Sequence, residues 1–361
     1  MHGVPAEAIE MHLGTRFLQY GAVAAVLLGG CESVVRDDAP ADAPPTLTSA
    51  GTSGGIDLDP DQDAESSGSS GGGGLLLDVG HADPDGPGMA AGCNAVDILF
   101  VIDNSASMTS YQDQLTAAFP SFVDAMDATL PEGTSVHVGV TTSSFCGGNN
   151  PPHTEINCVA AESAILMSDA YVSPSEGTVP GDGYQGRLRS FDGRNYFDAT
   201  TGDADSMQAL GNWFAGAAGV GSQGCNHEFN AAGAAHVFAP ENATANAGFV
   251  RDEGAVLLLF ILSDEGDQSF AVEDAAALEA QVRAAKAGCG ADACIVGAGL
   301  FSEFCTPDTN AAHAFLSSLS GEPVWGPIGS LAGPPPDYEE TVGAALAQIV
   351  AQSCEEVPPA A

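Results

Sequence analysis

Three oxygen-bearing side chains follow the most apolar stretch of the sequence at every second position. Asp103 comes directly after residues 96–102, and Ser105 and Ser107 come next. In open α/β sheets, ligands bind just beyond the carboxyl ends of the strands, which is where these side chains would lie. One carboxylate and two neutral hydroxyls are hard oxygen donors of the kind that Mg²⁺ prefers. The spacing therefore predicts a metal site that leaves one coordination position open for a partner.

The elements that must position these residues are strands alternating with helices. Branched apolar runs at residues 96–102 and 255–262 predict strands that are buried on both faces, and shorter runs at 136–142 and 294–300 predict two more. Helical spacing of apolar side chains predicts helices at residues 115–126, 206–218, 229–238, 273–286, 310–319 and 342–350. The alternation predicts an α/β domain over residues 93–354, with a doubly wound, mainly parallel sheet flanked by helices.

The start of the chain has the composition of an export signal. Residues 17–30 form an apolar stretch that is too short to span a bilayer, and Cys31 follows it directly. The residues before Cys31 resemble a bacterial lipobox, which predicts a lipoprotein signal peptide over residues 1–30 and a lipid on Cys31. An ordinary signal peptide with an incidental cysteine is the alternative, and either Met1 or Met11 could be the start.

The remaining segments and the overall charge limit the classes of partner. Residues 31–92 are acidic and rich in Gly, Ser and Asp, which predicts a disordered tether, and residues 355–361 form a short tail. The formal net charge is −40, and Lys286 is the sole lysine. Such acidity excludes nucleic acid and anionic membrane surfaces as partners, so we expect membrane contact only through the lipid anchor. Solubility explains the acidic coat most simply; adaptation to high salt and divalent-cation binding are alternatives.

The motif and its context resemble the von Willebrand factor type A domain, as found in exported bacterial lipoproteins. A buried strand precedes the Asp-x-Ser-x-Ser motif, an amphipathic helix follows it, and a second buried strand ends at Asp264. The family's metal-ion-dependent adhesion site combines this motif with a threonine on a middle loop and an aspartate after a later strand. The resemblance implies that Asp103, Ser105, Ser107 and Asp264 bind Mg²⁺ or Mn²⁺, with Ca²⁺ as a further candidate. It places Ser222 at the middle position, where serine replaces threonine.

The same resemblance implies a function without catalysis. A cation held largely by neutral hydroxyls keeps positive charge and accepts a carboxylate from a protein or polymer ligand as its last donor. We therefore expect an adhesion protein of the cell envelope or outer membrane, exported, lipid-anchored and exposed at the surface, and not an enzyme.

Other interpretations of the same residues remain open at this point. Ser105 and Ser107 could cap the next helix, and Asp264 could cap its own. A secreted metal-dependent hydrolase and a structural envelope protein with a vestigial metal site are the alternative functions. His227 and Glu228 do not begin a zinc-protease motif, because residue 231 is alanine. The acids that follow Asp264, at positions 265 and 267, are expected to lie on the surface; the alternative is that they bind calcium or support the metal ligands.

Nine cysteines in a chain with an export signal indicate an oxidising compartment. With Cys31 set aside as the lipidated residue, eight remain for disulfides. In a domain of the type just named, both ends lie on the face opposite the metal, which favours a pair between Cys93 and Cys354. Proximity in sequence favours Cys289 with Cys294 and Cys146 with Cys158, which leaves Cys225 with Cys305.

Overall fold

The two most apolar runs of the sequence form neighbouring strands at the centre of one sheet. In this computed structural model the described residues are 95–146, 171–174, 183–302, 305, 310–329 and 338–350. Strands β1 (Ala95–Ile102) and β4 (Ala255–Ser263) pair in parallel, and every residue of both is buried. A strand that is apolar on both faces needs cover on both faces, which explains why these two strands occupy the middle of the sheet.

Within the described residues, six strands form one sheet in the order β3-β2-β1-β4-β5-β6. The other four strands are β2 (Ser135–Thr142), β3 (Tyr196–Thr200), β5 (Ile295–Phe301) and β6 (Val324–Pro327). Neighbours are parallel except for β3, which runs antiparallel to β2. This order is that of a doubly wound sheet, whose winding reverses between β1 and β4. The predicted fold class is confirmed, and the reversal places the expected ligand crevice beyond the ends of β1 and β4.

Helices cover both faces of this sheet. Their bounds are α1 (Thr109–Thr129), α2 (Ala204–Ala217), α3 (Asn230–His236), α4 (Ser269–Val272), α5 (Ala275–Ala285), α6 (Ala311–Ser320) and α7 (Tyr338–Gln348). Alternate residues of β1 join two separate cores, because successive side chains of a strand point to opposite faces. Ile98 and Phe100 pack with residues of α1, α2 and α7, whereas Leu99 and Val101 pack with residues of α3, α5 and α6.

The four strands expected from apolar runs all form, but β3 and β6 were not predicted. Each is short and forms one edge of the sheet. Residues 196–200 alternate between buried and more exposed positions, so they lack a continuous apolar run. The four residues of β6 include Gly326 and Pro327, which are depleted in strands. The sheet therefore has two edge strands whose formation depends on pairing with a neighbour rather than on their own composition.

The disulfides correct two of the predicted pairs. Cys289–Cys294 forms as expected, but Cys146 pairs with Cys225 across a sequence separation of 79. The predicted pairs Cys146–Cys158 and Cys225–Cys305 are therefore wrong. The prediction from sequence proximity failed because the fold brings the loop after β2 against the loop before α3. There the backbone N–H of Phe229 donates to the carbonyl of Ser143 at 3.2 Å.

Several predicted features lie outside the described residues. They include the signal peptide, the tether, the tail, the lipidated Cys31 and the proposed Cys93–Cys354 pair. Cys305 is also disulfide-bonded. None of the helices in the described ranges is both long enough and apolar enough to cross a bilayer.

Candidate metal centre

Asp103 lies at the winding reversal of the sheet and is fully buried. Its backbone N–H donates to the carbonyl of Leu262, which joins the ends of β1 and β4 at 2.9 Å. One carboxylate oxygen, Oδ1, accepts the backbone N–H of Ser105, and the other, Oδ2, accepts the hydroxyl of Ser263, both at 2.8 Å. Donors from both strand ends therefore fix this carboxylate in one orientation.

The two serines of the motif connect Asp103 to Asp264. The hydroxyls of Ser105 and Ser107 lie 2.8 Å apart, and Ser107 donates to Oδ1 of Asp264 at 3.1 Å. Four of the five predicted metal ligands thus form one continuous polar set, although residues 103–107 and 264 are far apart in sequence.

These side chains do not serve as helix caps. The residue before α1 is Met108, and no side chain caps this helix. The helix after Asp264 is α4, whose N-cap residue is Gln268. Ser105, Ser107 and Asp264 are therefore not helix N-caps in this structure.

Burial desolvates both aspartates and raises the pKa of each. Burial raises the pKa of Asp103 to about 6. Burial, with the nearby charges of Asp103 and Glu265, raises the pKa of Asp264 to about 8. No lysine or arginine among the described residues forms an ion pair with either carboxylate. A buried carboxylate in this situation has unfavourable free energy when ionised, and a bound cation would remove that penalty.

Ser222 is not brought into this polar set. Its side chain is half-buried, and its hydroxyl makes no hydrogen bond to Asp103, Ser105, Ser107 or Asp264. The loop that carries it does reach the site, since the backbone N–H of Gly224 donates to the carbonyl of Asn104 at 2.7 Å. A Cβ at position 224 would lie 2.2 Å from Oδ1 of Asn104, so only glycine allows this approach. The role of Ser222 as a metal ligand stays a prediction.

Glu228 is the residue at this site that the sequence analysis missed. Its side chain is fully buried, and neither carboxylate oxygen accepts a hydrogen bond from a donor in the described residues. Burial raises its pKa well above the ordinary value, and the neighbouring carboxyls of Asp103, Glu265 and Asp264 raise it further. Its signal in the sequence is an acid directly before the apolar start of a helix, a pattern that does not distinguish a buried acid from an exposed one.

The two acids expected on the surface are buried instead. Glu265 and Asp267 are 7% and 1% exposed. Asp267 is the cap of α3, because its carboxylate accepts the backbone N–H groups of Asn230 and Ala231 at 2.9 and 3.2 Å and the hydroxyl of Ser269 at 2.6 Å. Asp267 therefore has a structural role in holding α3 against the loop after β4. Glu265 instead lies near the carboxyls of Asp264 and Glu228 and raises the pKa of both.

The donor set fits a hard divalent cation, provided that the hydroxyls take part. Within the described part of the chain, no three His, Cys, Asp or Glu side chains form a group that could hold an ion by themselves. A site here must therefore combine the carboxylates of Asp103 and Asp264 with the hydroxyls of Ser105 and Ser107. Oxygen-only donors of this kind suit Mg²⁺, Mn²⁺ and Ca²⁺ rather than zinc or copper.

Comparison with known proteins gives distant structural similarity. No family model matches the sequence, and no curated protein does so either. Among solved structures, a von Willebrand factor type A protein from Catenulispora acidiphila is 15% identical, with a TM-score of 0.34 over 73% of this chain and 43% of that one. The pilus adhesin SpaC from Lactobacillus rhamnosus GG is 13% identical, with a TM-score of 0.33 over 70% of this chain and 29% of that one.

A third similar structure is proximal thread matrix protein 1 from the mussel byssus, 12% identical, with a TM-score of 0.35 over 74% of this chain and 49% of that one. The chain therefore spans less than half the length of each of these three proteins. Similarity this distant carries no argument about function, which must come from the site itself. The described disulfides are independent of it and indicate an exported protein.

Proposed function

We propose that this domain binds its ligand through a divalent cation held by Asp103, Ser105, Ser107 and Asp264. The cation is Mg²⁺ or Mn²⁺, with Ca²⁺ as a further candidate. The observation that carries the proposal is the pair of buried aspartates, joined through two serine hydroxyls, with no lysine or arginine paired to either among the described residues. Proteins rarely keep buried carboxylates uncompensated unless a cation or a proton completes them.

The expected ligand is a protein or polymer that offers a carboxylate. Ser105 and Ser107 contribute no charge, so they leave a bound cation with positive charge and with coordination positions occupied by water. A carboxylate from outside can replace such a water and balance the charge. This makes the proposed activity binding rather than catalysis, in keeping with adhesion.

Titration calorimetry with metal salts tests the site directly. The full-length protein is first stripped of metal with a chelator, and the chelator is then removed. The protein should then bind a single Mg²⁺ or Mn²⁺ ion. Ser105→Ala removes one hydroxyl from the polar set and should weaken binding ~10-fold or more, as losses of metal-site donors generally do. Ser110→Ala is the matched control, because Ser110 is exposed on α1 just beyond the motif. Absence of binding by the wild type with Mg²⁺, Mn²⁺ and Ca²⁺ would contradict the proposal.

A carboxylate-bearing surface tests the ligand class. The protein should bind a carboxymethyl-dextran layer in Mg²⁺ and be released by EDTA, at an ionic strength near 0.15 M that screens the repulsion from its acidic surface. Binding should disappear when the carboxylates are blocked as amides. If binding is unchanged on the blocked surface, the ligand is not a carboxylate. Metal-dependent hydrolysis of esters, phosphates or peptides would instead favour an enzyme.

Attachment to the envelope through Cys31 is part of the same proposal. The sequence around Cys31 resembles a lipobox, and disulfides in the domain fit an exported protein. Cys31→Ala should move the protein from the membrane fraction to the soluble fraction of cells that export it. If the variant stays with the membranes, lipid anchoring at Cys31 is wrong.

A further inference from the structure

Asn104 lies between the first two proposed metal ligands, and segments outside the motif hold both its side chain and its main chain. It is 2% exposed. Its side-chain oxygen Oδ1 accepts the hydroxyl of Ser144 at 2.6 Å, and its main-chain carbonyl accepts the backbone N–H of Gly224 at 2.7 Å. Ser144 belongs to the loop after β2, and Gly224 belongs to the loop before α3. Two separate loops therefore fix the backbone that joins Asp103 to Ser105.

The hydroxyl of Ser144 also connects these two loops to each other. Ser144 is fully buried, and its Oγ accepts the backbone N–H of Cys225 at 3.1 Å while it donates to Asn104. A Cβ at position 224 would lie 2.6 Å from this oxygen, so only glycine allows the loops to come this close. The position of Asn104 therefore depends on how Ser144 and Cys225 lie relative to each other.

The Cys146–Cys225 disulfide fixes that relative position covalently. It joins the two loops across a sequence separation of 79, and both of its ends lie beside residues that contact Asn104. Cys146 follows Ser144 by two positions, and Cys225 directly follows Gly224. Residues 219–229 contain no helix or strand, so many conformations would be open to this loop without the crosslink. The disulfide removes that freedom and preorganises the residues that the loop contacts.

We propose that the Cys146–Cys225 disulfide sets the affinity of the metal centre for its cation, because it positions Asp103 and Ser105 through Ser144 and Asn104. This inference rests on the metal-dependent binding proposed above and adds which part of the fold controls it. Mg²⁺ demands near-ideal octahedral geometry, and its ligands must be held to within about 0.5 Å. A loop that moves would displace Asn104 and the ligands on either side of it. The domain therefore binds its cation tightly only when this disulfide is formed.

Calorimetric titration of full-length variants with Mg²⁺, and with Mn²⁺ and Ca²⁺ in parallel, tests this inference. The double substitution Cys146→Ala and Cys225→Ala should weaken cation binding ~10-fold or more, the loss typical of residues that orient metal ligands. The matched control removes the Cys289–Cys294 disulfide, which lies before β5 and thus at the opposite end of the sheet from the metal centre. Cys289→Ala with Cys294→Ala can lower the stability of the domain but should leave the affinity of the folded protein unchanged.

Ser144→Ala tests the path from the disulfide to the motif while the disulfide stays in place. It should also weaken cation binding, whereas Ser110→Ala, an exposed position on α1, should not. Because both changes act through Asn104, Ser144→Ala combined with removal of the disulfide should weaken binding by less than the product of the two separate losses. In EDTA, the backbone N–H of Gly224 should exchange with solvent faster in both variants than in the wild type, because its bond to the Asn104 carbonyl opens more often.

The outcomes separate failure of this inference from failure of the proposed function. If the wild type binds none of the three cations, both are wrong. If the wild type binds a cation and either the variant without Cys146–Cys225 or Ser144→Ala binds it equally well, only this inference is wrong. It is also wrong if removing Cys289–Cys294 weakens binding as much, or if the separate losses multiply in the combined variant. Should the variant without Cys146–Cys225 fail to fold, the affinity of Ser144→Ala and the exchange of the Gly224 amide decide the result.

Discussion

Strand β1 carries a buried aspartate near each end, and the two are compensated in opposite ways. Asp97, near the start of the strand, is fully buried and accepts the Nε and the backbone N–H of Arg251 at 2.7 and 2.8 Å. Lys286, the sole lysine of the chain, is also fully buried, with its Nζ 4.0 Å from Oδ2 of Asp97. Burial raises the pKa of Asp97, but Arg251 and Lys286 act against that rise and favour the ionised form.

Asp103, at the other end, is equally buried, and its donors within the described residues are serine hydroxyls and the backbone N–H of Ser105 rather than basic side chains. In the described part of the chain, basic side chains thus pair with the aspartate at one end of the strand, and none pairs with the aspartate at the other. The difference separates a carboxylate that an ion pair within the fold stabilises from one that, under the proposed function, a cation from solution would stabilise. It also predicts that the two residues respond differently to mutation and to metal.

The largest loss of stability is expected when Asp97, the aspartate paired with basic side chains, is replaced. Asp97→Asn removes the buried negative charge that Arg251 and Lys286 face and should destabilise the domain by ~3–5 kcal/mol, as breaking a buried ion pair generally does. The loss should be the same in Mg²⁺ and in EDTA, as measured by urea denaturation. Asp113→Asn, an exposed aspartate on α1, is the control and should have little effect. A loss that appears only in the presence of metal would remove the distinction between the two ends.

The opposite pattern is expected for Asp103→Asn. In EDTA the variant should be at least as stable as the wild type, because it no longer buries an uncompensated carboxylate. The wild type should gain ~2.7 kcal/mol when the metal concentration is one hundred times the dissociation constant, and the variant should gain nothing. The same denaturation series measures both quantities. Destabilisation of the variant in EDTA by as much as Asp97→Asn would show that Asp103, too, is a structural residue.

Most of the sheet could be predicted because its strongest signals are local. The runs that form β1 and β4 are apolar at every position, and Asp103 and Asp264 follow them directly. Strands β3 and β6 could not be predicted in this way, because edge strands need neither a continuous apolar run nor length. Their positions follow from pairing with β2 and β5, which is a property of the assembled sheet.

The site was predictable only where its residues adjoin those strands. The place of Glu228 depends on contacts that are distant in sequence: the Cys146–Cys225 disulfide, the approach of Gly224 to Asn104, and the cap that Asp267 provides for α3. None of these leaves a periodic pattern in the sequence, and the pairing of eight cysteines cannot be deduced from spacing. The burial of Glu265 and Asp267 could not be predicted for the same reason. Residue type alone predicts that an acid is exposed, and the hydrogen-bond partners that allow its burial come from distant parts of the sequence.

The smallest effect we predict is the pH dependence of stability that comes from Asp103, which has no basic partner among the described residues. Burial holds the pKa of Asp103 at about 6, above its ordinary 3.8, so the folded state binds this proton more tightly than the unfolded state. The resulting stability is complete below about pH 4 and is lost as the pH rises through about 6, by about 2 kcal/mol between pH 4 and pH 7. Urea denaturation in EDTA between pH 4 and pH 7 should therefore show wild-type stability falling relative to Asp103→Asn, and saturating metal should remove that relative fall. A difference between the two proteins that stays constant with pH would mean that Asp103 is not the titrating group, and the contrast with Asp97 would then rest on mutation alone.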